Sequence, residues 1–395
     1  MISDLENTSE FDLVIIGGGA TGSGAALDAA MRGLKVACFE REDFASGTSS
    51  RSTKLIWGGS RYLVQALVTL FSLDLRLIRR PRESVNEFMR DFRMVLNCHR
   101  ERVFMLKQQP HLTNWLPIAV PLTSWLLWPP PFGHPVAMLG PLGLFPVFFR
   151  FYDMLSGFDC PPSHIMTRSR VERKFPQLSI NNLKYCSVFY EGQHDDARTN
   201  LALAETAAIE GAKMFNYMEV IRTIRAPDGR VSGLVTTDRS TGREYSVRSK
   251  VVLACGGPFA NDIRSLEVAP GVSEPKPALP KLVNGAGGVH IVLPSYFAPR
   301  NIGMVDMSTS DGRFLFLLPW EGQVLVGTTD RKMDNIDMKP IPTETEIRWL
   351  LKEASKYLNT EEITVRRKGL CLFLCLCLYC AVLYYVIKIG YHCLF

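Results

Sequence analysis

The residues whose spacing most plainly suggests chemistry are Gly17, Gly19 and Gly22, with Gly18, Ala20 and Thr21 between them. They follow the apolar run Leu13-Val14-Ile15-Ile16, which predicts a parallel strand buried on both faces. Gly17 permits a tight turn, Gly19 lets the backbone approach a pyrophosphate, and Gly22 lets the next helix pack close to the strand. Ala25, Ala26, Leu27, Ala29 and Ala30 predict that helix, whose free N–H groups at its start can meet negative charge. Lys35 to Phe39 predicts the next strand, and Glu40 follows it, eighteen residues after Gly22. A carboxylate there accepts hydrogen bonds from an adenosine ribose and repels a 2′-phosphate, an exclusion that neighbouring Arg41 weakens. Strand, glycines, helix, strand and acid in this order point to dinucleotide binding rather than to a plain glycine-rich turn. The motif does not choose between FAD and NAD.

Directly after Glu40, the stretch Gly47 to Thr53 contains Thr48, Ser49 and Ser50. Their hydroxyl and N–H groups can wrap a phosphate and a ring edge, and their position favours a cofactor loop over an ordinary polar loop. Asp195 and Asp196 precede a predicted helix from Ala197 to Gly211. Paired carboxylates can do acid–base work, but helix capping and surface polarity are the better reading here.

The elements that must position these residues have room to form. At 395 residues the chain suits two domains of about 100–200 residues each. Apolar residues make up 47% and charged residues 21%, a globular balance. A net charge of +6 with scattered arginines suits an anionic substrate or a membrane surface, and gives no pointer to nucleic acid. Five of the ten cysteines, Cys371, Cys375, Cys377, Cys380 and Cys393, crowd the C-terminal end. With no second CxxC or His cluster, they read as reduced thiols, not as a metal site or a disulfide framework. The polar, acidic first ten residues match neither a signal peptide nor an Arg-rich transit peptide.

Residues 64–108 predict helix, with charged patches RLIRRPRE and CHRERV and a break or boundary at Pro81. Residues 110–152 combine Trp115, Trp125, Trp128, many prolines and the aromatic run Phe145 to Phe151 with almost no charge. The prolines exclude one spanning helix of about 20 residues, leaving a buried loop or an interfacial patch against a lipid bilayer surface. Met218–Ile224, Arg230–Thr237 and Glu244–Val247 predict strands, and SKVVLACGGPF a further buried strand ending at Gly256-Gly257-Pro258. VHIVLP, RFLFLLPW and QVLVGTTD predict an antiparallel sheet within 270–345. Leu370 to Ile387 carries no charge over eighteen residues and follows Arg366, Arg367 and Lys368. That is just long enough for a transmembrane anchor, whereas the abrupt Leu/Cys monotony favours out-of-frame or splice-variant sequence.

The stretches SGTSSRSTKLIWGGSRYL (46–63), YEGQHDDARTNLALAETAA (190–208), GGPFANDIR (256–264), GVHIVLP (288–294), SDGRFLFLLPW (310–320) and VGTTD (326–330) occur in order. Together they resemble the FAD-dependent, quinone-linked glycerol-3-phosphate dehydrogenases, with the mitochondrial-type branch the nearer, over about residues 11–366. The resemblance implies an α/β fold: a Rossmann-like FAD-binding domain with a second, antiparallel-sheet substrate domain, as in amino-acid-oxidase-like flavoproteins of the two-dinucleotide-binding class. It places FAD-binding at about 11–100 and 165–264, a substrate lid at about 265–345, the interfacial segment at about 110–152 and an unrelated tail at 367–395.

By the same resemblance, the FAD-binding set is Gly17, Gly18, Gly19, Ala20, Thr21, Gly22, Glu40, Arg41, Gly47, Thr48, Ser49, Ser50, Lys54, Leu55, Gly58, Gly59, Val220 and Gly256. The implied reaction is oxidation of sn-glycerol 3-phosphate to dihydroxyacetone phosphate, with electrons passed to a membrane quinone. Arg61 and Arg313 are then the phosphate cations, Tyr62 a further hydrogen-bonding group and His290 the base. Outside the family, each Arg reads as a solvated charge and His290 as a core histidine of a strand. Trp57 stands where the family usually has His. The resemblance implies the mitochondrial inner membrane, with a cytoplasmic membrane-associated location as the alternative. A different flavin oxidase for amines or hydroxy acids, and a non-catalytic remnant of the flavin fold, both stay open. So does the oligomeric state, with a homodimer among the options.

Overall fold

The computed structural model describes residues 2, 5, 8–60, 62, 63, 66, 81–122, 145–176, 183–266, 281, 283–307, 309, 310, 313–329, 331–333 and 335–357. The chain divides into two compact units. Unit 1 takes Met1–Lys54, Asp195–Gly287 and Arg331–Pro340; unit 2 takes Leu55–His194, Gly288–Asp330 and Ile341–Phe395. Residues 55–100 and 165–194, grouped by sequence with the FAD-binding region, thus fall in unit 2, to which β3 (Leu55–Ile56), β5 (His164–Thr167) and β6 (Tyr185–His194) belong by pairing.

Unit 1 is built on a six-stranded sheet ordered β7-β2-β1-β10-β9-β8. Strands β1 (Phe11–Ile16), β2 (Val36–Phe39) and β7 (Lys213–Phe215) run parallel. Strand β10 (Glu244–Ala254) is parallel to β1 through its second half. Its first half pairs antiparallel with β9 (Val231–Asp238), which pairs with β8 (Met218–Arg225). One continuous strand therefore replaces the two that the sequence suggested. The burial expected of SKVVLA is also corrected: Val251 is 55% and Leu253 38% exposed, because among the described residues this half of β10 pairs with β1 alone.

The apolar run of β1 does bury both faces. Val14 and Ile16 join Phe39, Phe215, Leu234 and Val247 in one core, while Ile15 packs among the alanines of two helices. These are α1 (Ala20–Met31) and α5 (Asp196–Ile209), which meet through Ala26, Ala29, Ala30, Ala204 and Ala207. The rings of Phe39 and Phe215 stack with centroids 5.2 Å apart, joining the ends of β2 and β7. The short helix α6 (Ala260–Ser265) and a two-stranded ribbon, β11 (Gly285–Gly287) with β16 (Arg331–Met333), complete the unit.

Unit 2 carries an eight-stranded sheet whose main order is β12-β15-β14-β13-β4-β6-β3, with β5 also on β6. The early strands are β3 (Leu55–Ile56), β4 (Thr113–Leu122), β5 (His164–Thr167) and β6 (Tyr185–His194). The later ones are β12 (His290–Pro294), β13 (Gly303–Asp306), β14 (Leu315–Trp320) and β15 (Gln323–Gly327). All pairings are antiparallel except β13 with β4.

The described parts of the Pro/Trp-rich segment from residue 113 on are regular structure, not a loop. Residues 113–122 form β4, paired with β6 across ten positions from Thr113↔His194 to Leu122↔Tyr185. Pro117 and Pro121 are tolerated because pairing on the other edge, with β13, involves only Ile118 and Ala119. The aromatic run becomes helix α3 (Phe145–Leu155), with Phe149 and Tyr152 buried in the unit's core and Phe149 stacked on Phe189 at 4.5 Å. Helix α2 spans Pro81–Gln108. Helix α4 (Arg168–Lys174) stops before Pro176, and α7 (Glu344–Ser355) opens with a Thr343/Glu346 capping box. No helix of the described residues is long and apolar enough to cross a membrane. Residues 123–144 and the tail from 358 lie outside the described residues, and the expectations made for them lie there too.

Candidate functional site

Unit 1 assembles the glycine cradle as its sequence predicts. The Gly17 N–H donates to the Phe39 carbonyl at 2.8 Å, so the turn folds back over the end of β2. A Cβ on Gly22 would sit 1.8 Å from the Gly17 carbonyl oxygen, so the helix start can lie on the turn only with glycine there. Gly19 is the N-cap of α1 and provides no side-chain cap. The exposed Ala20 and Thr21 follow it, and the Ala20 N–H meets Ser49 Oγ at 2.9 Å. The hydroxyl-rich loop therefore lies over the open, positive end of the helix.

Glu40 is fixed by the same turn. Its Oε2 accepts the Gly18 N–H at 2.7 Å and its Oε1 the Glu42 N–H at 2.9 Å, leaving lone pairs on each oxygen for ribose hydroxyls. The Gly18 carbonyl accepts from Asn200 Nδ2 at 3.0 Å, and the buried Oδ1 of that amide has no hydrogen-bond partner among the described residues. Arg41 pairs with Glu219 at 3.5 Å, so the cation that weakened the case against a 2′-phosphate has an acid of its own.

Residues Thr48–Ser50 form a single 3₁₀ turn, closed by Ser50 Oγ donating to the Gly47 carbonyl at 3.4 Å. Lys54 Nζ donates to the Ser50 carbonyl at 2.8 Å and to Asp196 Oδ1 at 2.6 Å, while the Ser52 N–H donates to Asp196 Oδ2 at 2.9 Å. Asp195 caps α5 as expected, accepting from the Arg198 N–H at 3.1 Å. Asp196 does not add surface polarity: it is buried and pins the cofactor loop through Lys54. Val220 is half-buried on β8 beside the core, and Gly256 follows β10 under Ile263 of α6.

The remaining predicted residues belong to unit 2. Leu55 opens β3 opposite Gln193, and Gly58 and Gly59 are buried beyond it. Tyr62 is exposed and packs on Trp57 with centroids 5.5 Å apart; Trp57 Nε1 donates to Ser60 Oγ at 3.2 Å. Arg61 lies outside the described residues. His290 begins β12 opposite Gly327, where a Cβ would come within 2.6 Å of the imidazole Cδ2. The Arg313 guanidinium stacks over Trp349 of α7 at 4.4 Å. The turn before it is tied to that helix, with Ser310 Oγ donating to Glu353 Oε1 at 2.7 Å. Burial raises the Glu353 carboxyl, but hydrogen bonds from Lys356 and Ser310 outweigh it and hold the group below its ordinary value. Strands β3 and β12 end the sheet order at opposite sides, so strand pairing does not bring His290 and Gly58 together.

Sequence reading missed one group here. His99, Arg102, Tyr152 and Glu191 are all fully buried in unit 2, although CHRERV reads in sequence only as a charged patch of a helix. The available signal was the i, i+3 spacing of His99 and Arg102, which puts both on one face of α2.

Glycine cradle, Glu40 carboxylate and hydroxyl loop on a parallel sheet have the geometry of a dinucleotide-binding site, and their polar groups fit the pyrophosphate and ribose of FAD. A family profile described as FAD dependent oxidoreductase matches residues 12–373, and the chain belongs to that family. It is 42% identical over 369 residues to the mitochondrial glycerol-3-phosphate dehydrogenase of Mus musculus, covering 92% of this chain and 45% of that protein. It is 39% identical over 360 residues to that of Schizosaccharomyces pombe, covering 91% of this chain and 51% of the relative. The chain thus spans about half the length of the curated relatives it matches. The glycerol-3-phosphate dehydrogenase from Bacillus halodurans, solved with FAD, superposes with a TM-score of 0.63 at 25% identity, over 89% of this chain and 54% of the other. L-proline dehydrogenase from P. horikoshii shares the fold at a TM-score of 0.57 and 16% identity, over 89% of this chain and 78% of the other.

Proposed function

We propose that the chain carries the oxidation of sn-glycerol 3-phosphate to dihydroxyacetone phosphate. The observation that carries this reading is the 42% identity, across 92% of the chain, to relatives bearing that activity in their name. When bound, FAD supplies the two-electron acceptor for the C2 hydride. The turn at Gly17–Gly22 and Glu40 hold the cofactor's pyrophosphate and ribose, and Lys54 with Asp196 keeps the Thr48–Ser50 turn in place. Arg313, with its planar face on Trp349, offers guanidinium N–H groups to the substrate phosphate, and Arg61 is its second cation. His290 takes the C2 hydroxyl proton as general base.

The electron acceptor beyond the flavin is a membrane quinone, and the location is mitochondrial, at the inner membrane. The test is the visible spectrum of the purified chain before and after anaerobic glycerol 3-phosphate. A flavin spectrum that bleaches supports the reading. Bound flavin that does not bleach, with a quinone acceptor also left unreduced, rejects it.

A further inference from the structure

Within unit 2, the Gly58 N–H donates to Glu191 Oε2 at 3.0 Å. The other oxygen, Oε1, accepts from the Tyr152 hydroxyl at 2.5 Å, and Arg102 Nη1 is paired with Oε2. Arg102 is held from its far side, with Nη2 donating to Ser156 Oγ at 2.8 Å and lying 2.9 Å from His99 Nδ1. Burial raises the Glu191 carboxyl, but the guanidinium, the phenol and the Gly58 amide all favour the carboxylate. Burial also pushes the Tyr152 hydroxyl well above its ordinary value, which keeps it a donor.

A buried ion pair of this kind is poor evidence for stability, because apolar side chains of similar volume often serve as well. What it does provide is direction. A Cβ on Gly58 would lie 2.3 Å from the Tyr152 hydroxyl oxygen and 2.6 Å from Arg102 Nη1. The backbone at Gly58 therefore rests directly on the cluster. Two further contacts extend the hold along the turn: Trp57 Nε1 to Ser60 Oγ, and the Tyr62 ring on Trp57. Three elements supply the anchor: α2 gives Arg102, α3 gives Tyr152 and β6 gives Glu191.

We infer that Glu191, Arg102 and Tyr152 are positioning residues that set the Trp57–Ser60 stretch through the Gly58 amide, and so govern how the residues that follow it meet glycerol 3-phosphate. This rests on the proposed reading, in which Arg61, next in sequence to Ser60, is a phosphate cation. Glu191 acts through the backbone and touches no reacting atom.

The test uses the full FAD-loaded chain as wild type, Tyr152→Phe and Glu191→Gln. Two quantities are read: amide hydrogen exchange in a peptide spanning 55–63 against one in 113–122, and KM and kcat per bound flavin. In Tyr152→Phe, exchange in 55–63 is expected to rise about tenfold with 113–122 unchanged. KM for glycerol 3-phosphate is expected to rise about tenfold, with kcat within about twofold. Glu191→Gln is expected to shift both further; if it does not fold, Tyr152→Phe carries the test alone. A variant that loses thermal stability or flavin while keeping wild-type exchange at 55–63 and wild-type per-flavin KM overturns the inference. If glycerol 3-phosphate fails to reduce the wild type, the proposed function has failed, and the exchange comparison alone decides whether the triad holds the turn.

Discussion

Lys54 Nζ lies 2.6 Å from Asp196 Oδ1 with both side chains almost wholly removed from water, and this contact, with the Ser52 N–H on Oδ2, fastens the 47–54 loop to the first turn of α5. Removing one member of a buried pair leaves the other charge uncompensated, at a cost of about 3–5 kcal/mol. Asp196→Asn is therefore expected to lower thermal stability by that order and to weaken FAD binding about tenfold or more. Thermal unfolding and flavin titration check both. Unchanged flavin affinity in a folded variant would show that the loop needs no such fastening.

Glu40 holds the Gly18 amide as well as the place of a ribose. Glu40→Ala is expected to weaken FAD binding about 10–100-fold, a loss of about 1.4–2.8 kcal/mol. Equilibrium binding to the apoprotein measures it, and an affinity equal to wild type would remove Glu40 from the site.

The contact between α1 and the Gly17 turn leaves no space for a methyl group. Gly22→Ala is expected to yield protein without flavin and destabilised by about 3 kcal/mol or more, through overpacking against backbone. Flavin content after purification and chemical denaturation are the measurements.

His99 gives an acid-side signature. Burial, and then the charge of Arg102, push its pKa down from 6.5 to about 3, so the imidazole is neutral when folded. Below pH 6.5 the unfolded chain takes up a proton that the folded chain refuses, and stability falls as pH falls through that window. Between pH 8 and pH 5 the contribution lost is about 2 kcal/mol. Denaturation midpoints measured across that range check it, and a His99→Gln variant is expected to show a shallower slope.

The proposed chemistry separates His290 from Arg313. His290→Gln is expected to lower kcat about 10²–10⁴-fold with little change in KM. Arg313→Ala is expected to raise KM for glycerol 3-phosphate and to leave the weak turnover of unphosphorylated glycerol nearly unchanged. Steady-state kinetics with both substrates distinguish them, and equal loss with both substrates would argue against a phosphate role.

The local fold from Gly17 to Glu40 was legible because its signals are local. Gly17 to Glu40 reads as strand, turn, helix and acid within thirty residues, each with its own physical requirement. The Lys54–Asp196 contact was not legible, since its members are 142 residues apart and each has a sufficient local explanation, a polar loop and a helix cap. Strand β4 was missed for another reason: Pro117 and Pro121 argue against a strand unless the short pairing with β13 is known. The burial of Arg102 was hidden because a guanidinium in a charged stretch reads as solvated until Glu191 and Tyr152, brought from two other elements, surround it.

The pairing of β1 with β10 also has a consequence for biosynthesis. Phe11 is matched with Ser249, so 238 residues (249 minus 11) separate the first partners of that ladder. At a synthesis rate of about 5–20 residues per second, β1 waits about 12–48 s for its neighbour to leave the ribosome. Until α5 and β7 follow, Leu13 to Ile16 has only β2 and the alanine face of α1 to cover it, and its β10 edge stays unpaired for the whole of that time. Unit 1 cannot complete its sheet until the unit 2 stretch 55–194 has been made, so the nascent chain presents an apolar strand edge that chaperones are suited to shield.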